Sequence, residues 1–204
     1  MGEHATATII DKRAEFLQGQ GGNITSQFGE DGFIAAALKH IGITNRWCFE
    51  VGAGDGKWLS NTWSLRESGW TSVLIESDAE RYIKAVSDYT GENTYLVHEA
   101  IGPSSLDRIL SGLDAPLDLD FGSLDIDGQD YYCWEGMVKY QPRLMLVEFS
   151  PYGKDPENFI PPLGGEGQAG INAIIELGED KGYVPLLNTY CNVLFARGDV
   201  WLRS

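Results

Sequence analysis

Apolar residues recur along this chain in short blocks with two different periods. Residues 33–41 put Phe33, Ala37, Leu38 and Ile41 on one helical face, and Gly42 stops the run. Residues 47–52 are a short apolar run of the kind that forms a buried parallel strand. Asn61 is positioned to cap a helix that continues to Glu67 and stops at Gly69, and residues 71–76 form a second buried strand. Ser77, Asp78, Ala79 and Glu80 read as a capping box for a helix whose apolar stripe is Tyr82, Ala85, Val86 and Tyr89. A strand over 94–98, a helix over 104–111, a strand over 121–127 and a helix over 131–140, ended by Pro142, come next. Strand 144–149 leads into a stretch rich in Gly and Pro, 150–170, then a helix over 171–181 and two strands, 184–187 and 193–196.

Strands alternating with helices predict a parallel sheet covered on both faces. The short turn between the last two strands predicts an antiparallel pair. The expectation is an α/β, Rossmann-like domain over 26–204 with a mainly parallel, seven-stranded sheet and a C-terminal antiparallel hairpin. Residues 1–25 read as an N-terminal arm with one short helix near 11–17. A stretch as long as 150–170 is expected to be a mobile loop over an acceptor pocket.

The first strand ends in Glu50-Val51-Gly52-Ala53-Gly54-Asp55-Gly56. A glycine turn of this kind lets backbone approach a ligand, with a helix N-terminus expected behind it. The dinucleotide spacing G-x-G-x-x-G fails, because Lys57 stands where the third glycine belongs. A Walker loop fails at both ends, at Val51 and Trp58. The remaining pattern, E-x-G-x-G-x-G, resembles motif I of class I S-adenosylmethionine-dependent methyltransferases, in which the turn cradles the methionine part of the cofactor. The five units and closing hairpin resemble the class I methyltransferase fold.

Composition narrows the picture. Against 15 Lys+Arg stand 30 Asp+Glu, a formal charge of −15, which argues against a nucleic-acid partner. Three scattered cysteines (Cys48, Cys133 and Cys191) and three histidines form no zinc spacing. With no apolar run long enough to span a bilayer and no signal pattern, the expectation is a cytoplasmic protein without a membrane partner.

Four strands end in acids at the ligand-binding edge of the expected sheet: Glu50, Glu76, Asp125 with Asp127, and Glu148. Glu76 stands about twenty residues beyond the glycine turn, where an acid takes ribose hydroxyls, with Ser77 beside it. The strand end at Glu99, Ala100 and Ile101 has two readings, a cover over an adenine or, for Ile101, a plain core position. On a strand, Asp125 and Asp127 point to one side. Asp125, Asp127 and Glu148 are candidates for catalysis, for a divalent ion such as Mg²⁺ or Mn²⁺, or for turn and cap formation by Asp130 and its neighbours.

Several phrases together resemble the FkbM-type methyltransferases over roughly residues 25–151. They are Ser26-Gln27-Phe28-Gly29-Glu30-Asp31-Gly32, the glycine turn, Ser60-Asn61-Thr62, the run 123–131 (S-L-D-I-D-G-Q-D-Y), and 147–151 (V-E-F-S-P), where Ser150 replaces a more usual Asn. The resemblance implies cofactor contacts at Glu50, Gly52, Gly54 and Glu76. It places Gln27, Glu30, Asp31 and Asn61 near the methionine end. It implies methyl transfer to an oxygen of a small molecule or sugar. A nicotinamide-dependent oxidoreductase and a non-catalytic cofactor-binding module are the rival readings. Oligomeric state is not readable from the residues.

Overall fold

The computed structural model describes residues 7–88, 93–151 and 154–203. In chain order the elements are β1 (Thr8–Ile9), a 3-10 helix (Lys12–Leu17), α1 (Glu30–Ile41), β2 (Trp47–Val51), α2 (Trp63–Glu67), β3 (Thr71–Glu76), α3 (Ala79–Asp88) and β4 (Thr94–His98). They continue with α4 (Ser105–Gly112), β5 (Phe121–Leu124), α5 (Asp130–Glu135), β6 (Leu144–Glu148), α6 (Ile171–Asp180), β7 (Tyr183–Asn188), β8 (Asn192–Arg197) and α7 (Gly198–Trp201).

All the strands join one sheet in the order β1-β7-β8-β6-β5-β2-β3-β4. Strands β4, β3, β2, β5 and β6 run parallel, and β8 and β7 close the sheet antiparallel. This is the expected Rossmann-like class I methyltransferase fold. Among the described residues the sheet has eight strands rather than seven, because Thr8 and Ile9 of the arm pair antiparallel with Asn188 and Leu187.

Period-two alternation sorts the strand side chains into two cores. Met145 and Val147 of β6 pack with α4, α5 and α6, whereas Leu144 and Leu146 pack with α1 and the N-terminal 3-10 helix. In β8, Val193 and Phe195 join the first core and Leu194 and Ala196 the second. Five buried residues in a row along β6 therefore serve both layers.

Local chemistry moved several element boundaries. The strand expected over 121–127 ends at Leu124. Beyond it, Ile126 N and Gly128 N donate to the Asp130 carboxylate at 3.0 and 3.1 Å, turning the chain, and Asp127 adopts a left-handed φ of 56°. Asp125 and Asp127 thus do not share a strand face. Asp130 is the first residue of α5 and closes this turn, instead of capping the helix from outside. The helix expected over 131–140 stops at Glu135, because the Asp107 carboxylate captures the N–H groups of Val138, Lys139 and Tyr140. The cap of α3 is Asp78, which accepts from Arg81 N at 2.9 Å, and not Ser77. Of the stripe expected on α3, Ala85 is buried and Val86 is 44% exposed, since α3 lies near the open sheet edge; Tyr89 falls outside the described residues.

Candidate active site

The glycine turn leaves β2 at the carboxyl edge of the sheet, between β3 and β5. Its glycines have different tasks. Gly52 (φ 75°) is packed against β5, where an added Cβ would stand 1.7 Å from the Asp125 carbonyl oxygen. Gly54 (φ 56°) has nothing within 4 Å of an added Cβ, so its open side is free to meet a ligand. Asp55 stiffens the turn by accepting from Lys57 N and Trp58 N and pairing with Lys84.

Glu50 is 3% exposed and is spent on the segment that follows the turn. It accepts from Asn61 N, Ser60 Oγ and Thr62 Oγ1, each at 2.6 Å. Burial pushes its carboxyl up, and these donors oppose the rise. Asn61 does not cap α2, whose cap residue is Thr62; its side chain donates to Ser123 Oγ at 3.2 Å. Glu76 accepts from Gly54 N and Asp78 N, both at 2.7 Å, which joins the glycine turn to the start of α3.

Glu30 and Asp31 lie within α1 and are buried. Asp31 accepts from the N–H groups of Ile24, Thr25 and Ser26 and from two serine hydroxyls, Ser26 and Ser64. Glu30 accepts from Gln27 N, Phe28 N, Thr189 Oγ1 and Asn192 Nδ2. Both therefore build the wall rather than line it, and Gln27 is the residue of that loop that borders the cleft.

The cleft has two connected parts. One, of about 640 Å³, extends over Glu50, Gly54, Glu76, Asp125 and Asp127 to Gln27. Its mouth carries Trp58, 75% exposed, and Leu59, whose left-handed φ of 61° is unusual for a branched side chain. The other part, of about 460 Å³, is lined by Ser77, Ala100, Ile101 and Ile126 together with Gly165, Glu166 and Gly167. Gly52, Ser77, Ile126 and Asp127 border both.

At the β5–β6 boundary the carboxyls of Asp125 and Glu148 lie close enough for each to act on the other's ionisation. Two carboxyls so placed favour holding one proton between them. Glu148 Oε2 also accepts from Asp127 N at 2.9 Å. Burial first, then the Asp130 carboxylate, push Asp125 up to about 7, against the pull of its interaction with Glu148. Burial first, then Asp125, push Glu148 up to about 10. Asp130 is also raised, to about 6, by burial, against the pull of the Gly128 and Ile126 N–H groups. Asp127 is exposed; it gives Glu148 this backbone N–H, and its carboxylate adds to the rise of both acids. Among the described residues no group of three or more His, Cys, Asp or Glu side chains is arranged to hold a metal ion.

Sequence reasoning gave no role to Gln129, although it stands inside the run 123–131, and assigned the 162–167 turn that its side chain holds only to the loop expected over the acceptor pocket. An uncharged amide within an acidic run was the available signal.

No protein-family model and no curated protein sequence matches the chain. Solved structures match its fold at low identity. The magnesium protoporphyrin IX methyltransferase of Synechocystis PCC 6803 with bound S-adenosylmethionine is 12% identical, with a TM-score of 0.53 over 82% of this chain and 77% of that one. A Klebsiella pneumoniae protein assigned as an O-methyltransferase is 13% identical, with a TM-score of 0.54 over 92% and 90%. A precorrin-6y C5,15-methyltransferase from Geobacter metallireducens GS-15 is 13% identical, with a TM-score of 0.51 over 86% and 90%. The chain has the fold of class I S-adenosylmethionine-dependent methyltransferases. No helix among the described residues is long and apolar enough to cross a membrane.

Proposed function

We propose that this protein transfers a methyl group from S-adenosylmethionine to an oxygen of a small molecule or sugar, and that it is an FkbM-type enzyme. The observation carrying the reading is the cleft at the switch edge of the sheet: an open-sided Gly54 beside Glu76, facing the Asp125–Glu148 pair. The cofactor fits these residues. Gly54 leaves room for its methionine part, Glu76 retains lone pairs for ribose hydroxyls, and Ala100 and Ile101 offer apolar surface to a base. Phrases that resemble the FkbM proteins fall on the walls of this same cleft.

When bound, the cofactor supplies an electrophilic methyl group on a sulfonium. Gln27 and Asp125 border the space in which an acceptor hydroxyl would meet that methyl group, whose departure would leave a neutral thioether. The hydroxyl proton must leave, and Asp125 is the group to take it. Glu148, holding its own proton, donates to Asp125 and keeps it oriented. Asp127 N fixes Glu148 in turn. Carboxylates around the site also favour a cationic sulfonium. Gln27, on the loop held by Glu30 and Asp31, borders the methionine end. The acceptor is a neutral hydroxyl compound, because the acidic cleft repels anions.

Calorimetric titration with S-adenosylmethionine, S-adenosylhomocysteine and NAD tests the cofactor. Binding of both sulfur compounds and not NAD is expected; the reverse would favour an oxidoreductase. For the base, activity that survives EDTA and is lost in Asp125→Asn supports the carboxylate. Activity lost in EDTA and restored by Mg²⁺ or Mn²⁺ would replace it with a metal.

A further inference from the structure

The part of the cleft beyond Ser77 is closed by a stretch remote in sequence. Residues 162–167 come from the long connection after β6, yet they cross to the start of α5. Gln129 fastens them there. Its Nε2 donates to Pro162 O at 3.3 Å and Gly165 O at 3.2 Å, and its Oε1 accepts from Gly164 N at 2.9 Å. One turn further along α5, Tyr132 donates its hydroxyl to Pro161 O at 2.9 Å. Residues three apart share a helix face, so one side of α5 is given to holding this turn. Gly165, Glu166 and Gly167 of the turn line the same cavity, of about 460 Å³, as Ala100 and Ile101 from just beyond the end of β4.

We propose that the 162–167 turn, clasped by Gln129, is the second wall of the site for the adenosine half of the cofactor. The inference rests on the S-adenosylmethionine reading above and deepens it. A purine is flat, with apolar faces and a polar edge. Ala100, Ile101 and Ile126 offer apolar surface to such a ring, and the glycine-bearing turn adds a thin stretch of backbone to the wall of the same cavity. The cavity is continuous with the glycine turn through Gly52 and Ser77, so a nucleoside with its ribose at Glu76 extends into it. The loop expected to cover the acceptor thus takes, in this stretch, the other end of the cofactor. Gln129 is a positioning residue: it holds the wall before the ligand arrives, which removes the ordering cost from binding.

The test compares two probes by calorimetry, S-adenosylhomocysteine and 5′-methylthioadenosine, the second lacking the amino-acid part. Gln129→Ala removes the clasp. Gln129→Glu keeps the acceptor for Gly164 N but turns a carboxylate oxygen toward two carbonyls. Both variants are expected to bind both probes more weakly, by roughly tenfold and by the same factor for each. Tyr132→Phe, which loses one bond to the turn and keeps the ring, is expected to give a smaller loss of the same pattern. Melting temperatures without ligand identify any variant that fails to fold, in which case Tyr132→Phe carries the test. Affinity within twofold of the unaltered protein, or a loss confined to S-adenosylhomocysteine, overturns the proposal. Unaltered protein that binds neither probe overturns the cofactor reading itself, a different result from unaltered binding with indifferent variants.

Discussion

The α-carbon of Gly52 sits so close to Asp125 that a Cβ built on it would lie 1.7 Å from the Asp125 carbonyl oxygen. The glycine turn and the candidate base are therefore packed against each other through backbone alone. Gly52→Ala must both hold a left-handed φ and push β5 away from β2. A loss of about 2–4 kcal/mol is expected in chemical denaturation. Gly54→Ala meets no neighbour and is expected to cost only about 1–2 kcal/mol, for its backbone conformation. Its cofactor affinity is expected to fall at least tenfold, because the methyl group enters the open side of the turn. Equal effects of the two substitutions on stability would contradict this division of tasks.

Asp125 must be ionised to accept a proton, and burial together with its acidic neighbours raises it to about 7. Activity measured as kcat/KM is expected to rise with pH through that region and then level off. Asp125→Asn is expected to lower kcat by roughly 10²–10⁴-fold and to leave S-adenosylhomocysteine affinity within a few-fold. A flat profile from pH 5.5 to 9 would remove Asp125 as the base.

Glu148 is raised further than Asp125 and keeps its proton at neutral pH in the folded protein. An unfolded chain ionises it near the ordinary carboxylate value, about 4.3. Between that value and about 10 the folded state binds more protons, so this group's contribution to stability declines as pH rises. Glu148→Gln removes the dependence, and its amide oxygen is still able to accept from Asp127 N. The melting temperature of the variant relative to the unaltered protein is therefore expected to climb between pH 5 and pH 9. Calorimetric scans at several pH values measure this, and a constant difference would show that Glu148 is not held protonated.

Glu30 ties the loop bearing Gln27 to the β7–β8 hairpin, through two backbone N–H groups, Thr189 and Asn192. Glu30→Ala strands these donors, at about 1–3 kcal/mol for each one left buried and unpaired. A substantially destabilised protein is expected. Hydrogen exchange should rise first at the amides of Gln27, Phe28 and Asn192. Unchanged protection at those amides would separate the loop from the hairpin.

Much of the frame was legible from residue order. The alternation along Leu144, Met145, Leu146 and Val147, the stops at Gly42 and Gly69, and the β-α repeats each follow from local sterics and period. These act within a few residues of each other, so they are written in the chain. Acids at four expected strand ends also pointed to the edge where the cleft lies. What only the tertiary structure decided is how each acid is used. Glu50, Glu30 and Asp31 are consumed by N–H and hydroxyl donors, some of them more than 150 residues away in the case of Glu30. Asp127 is turned out of its strand by the Asp130 carboxylate, so it presents an N–H to Glu148 where a carboxylate was expected. The Asp125–Glu148 pair and the Gln129 clasp arise because separate strand ends and loops meet at one edge, where burial raises carboxyls and an amide finds three partners. Period and propensity are local and do not encode which distant groups meet, and that meeting made an ordinary sheet edge into a site.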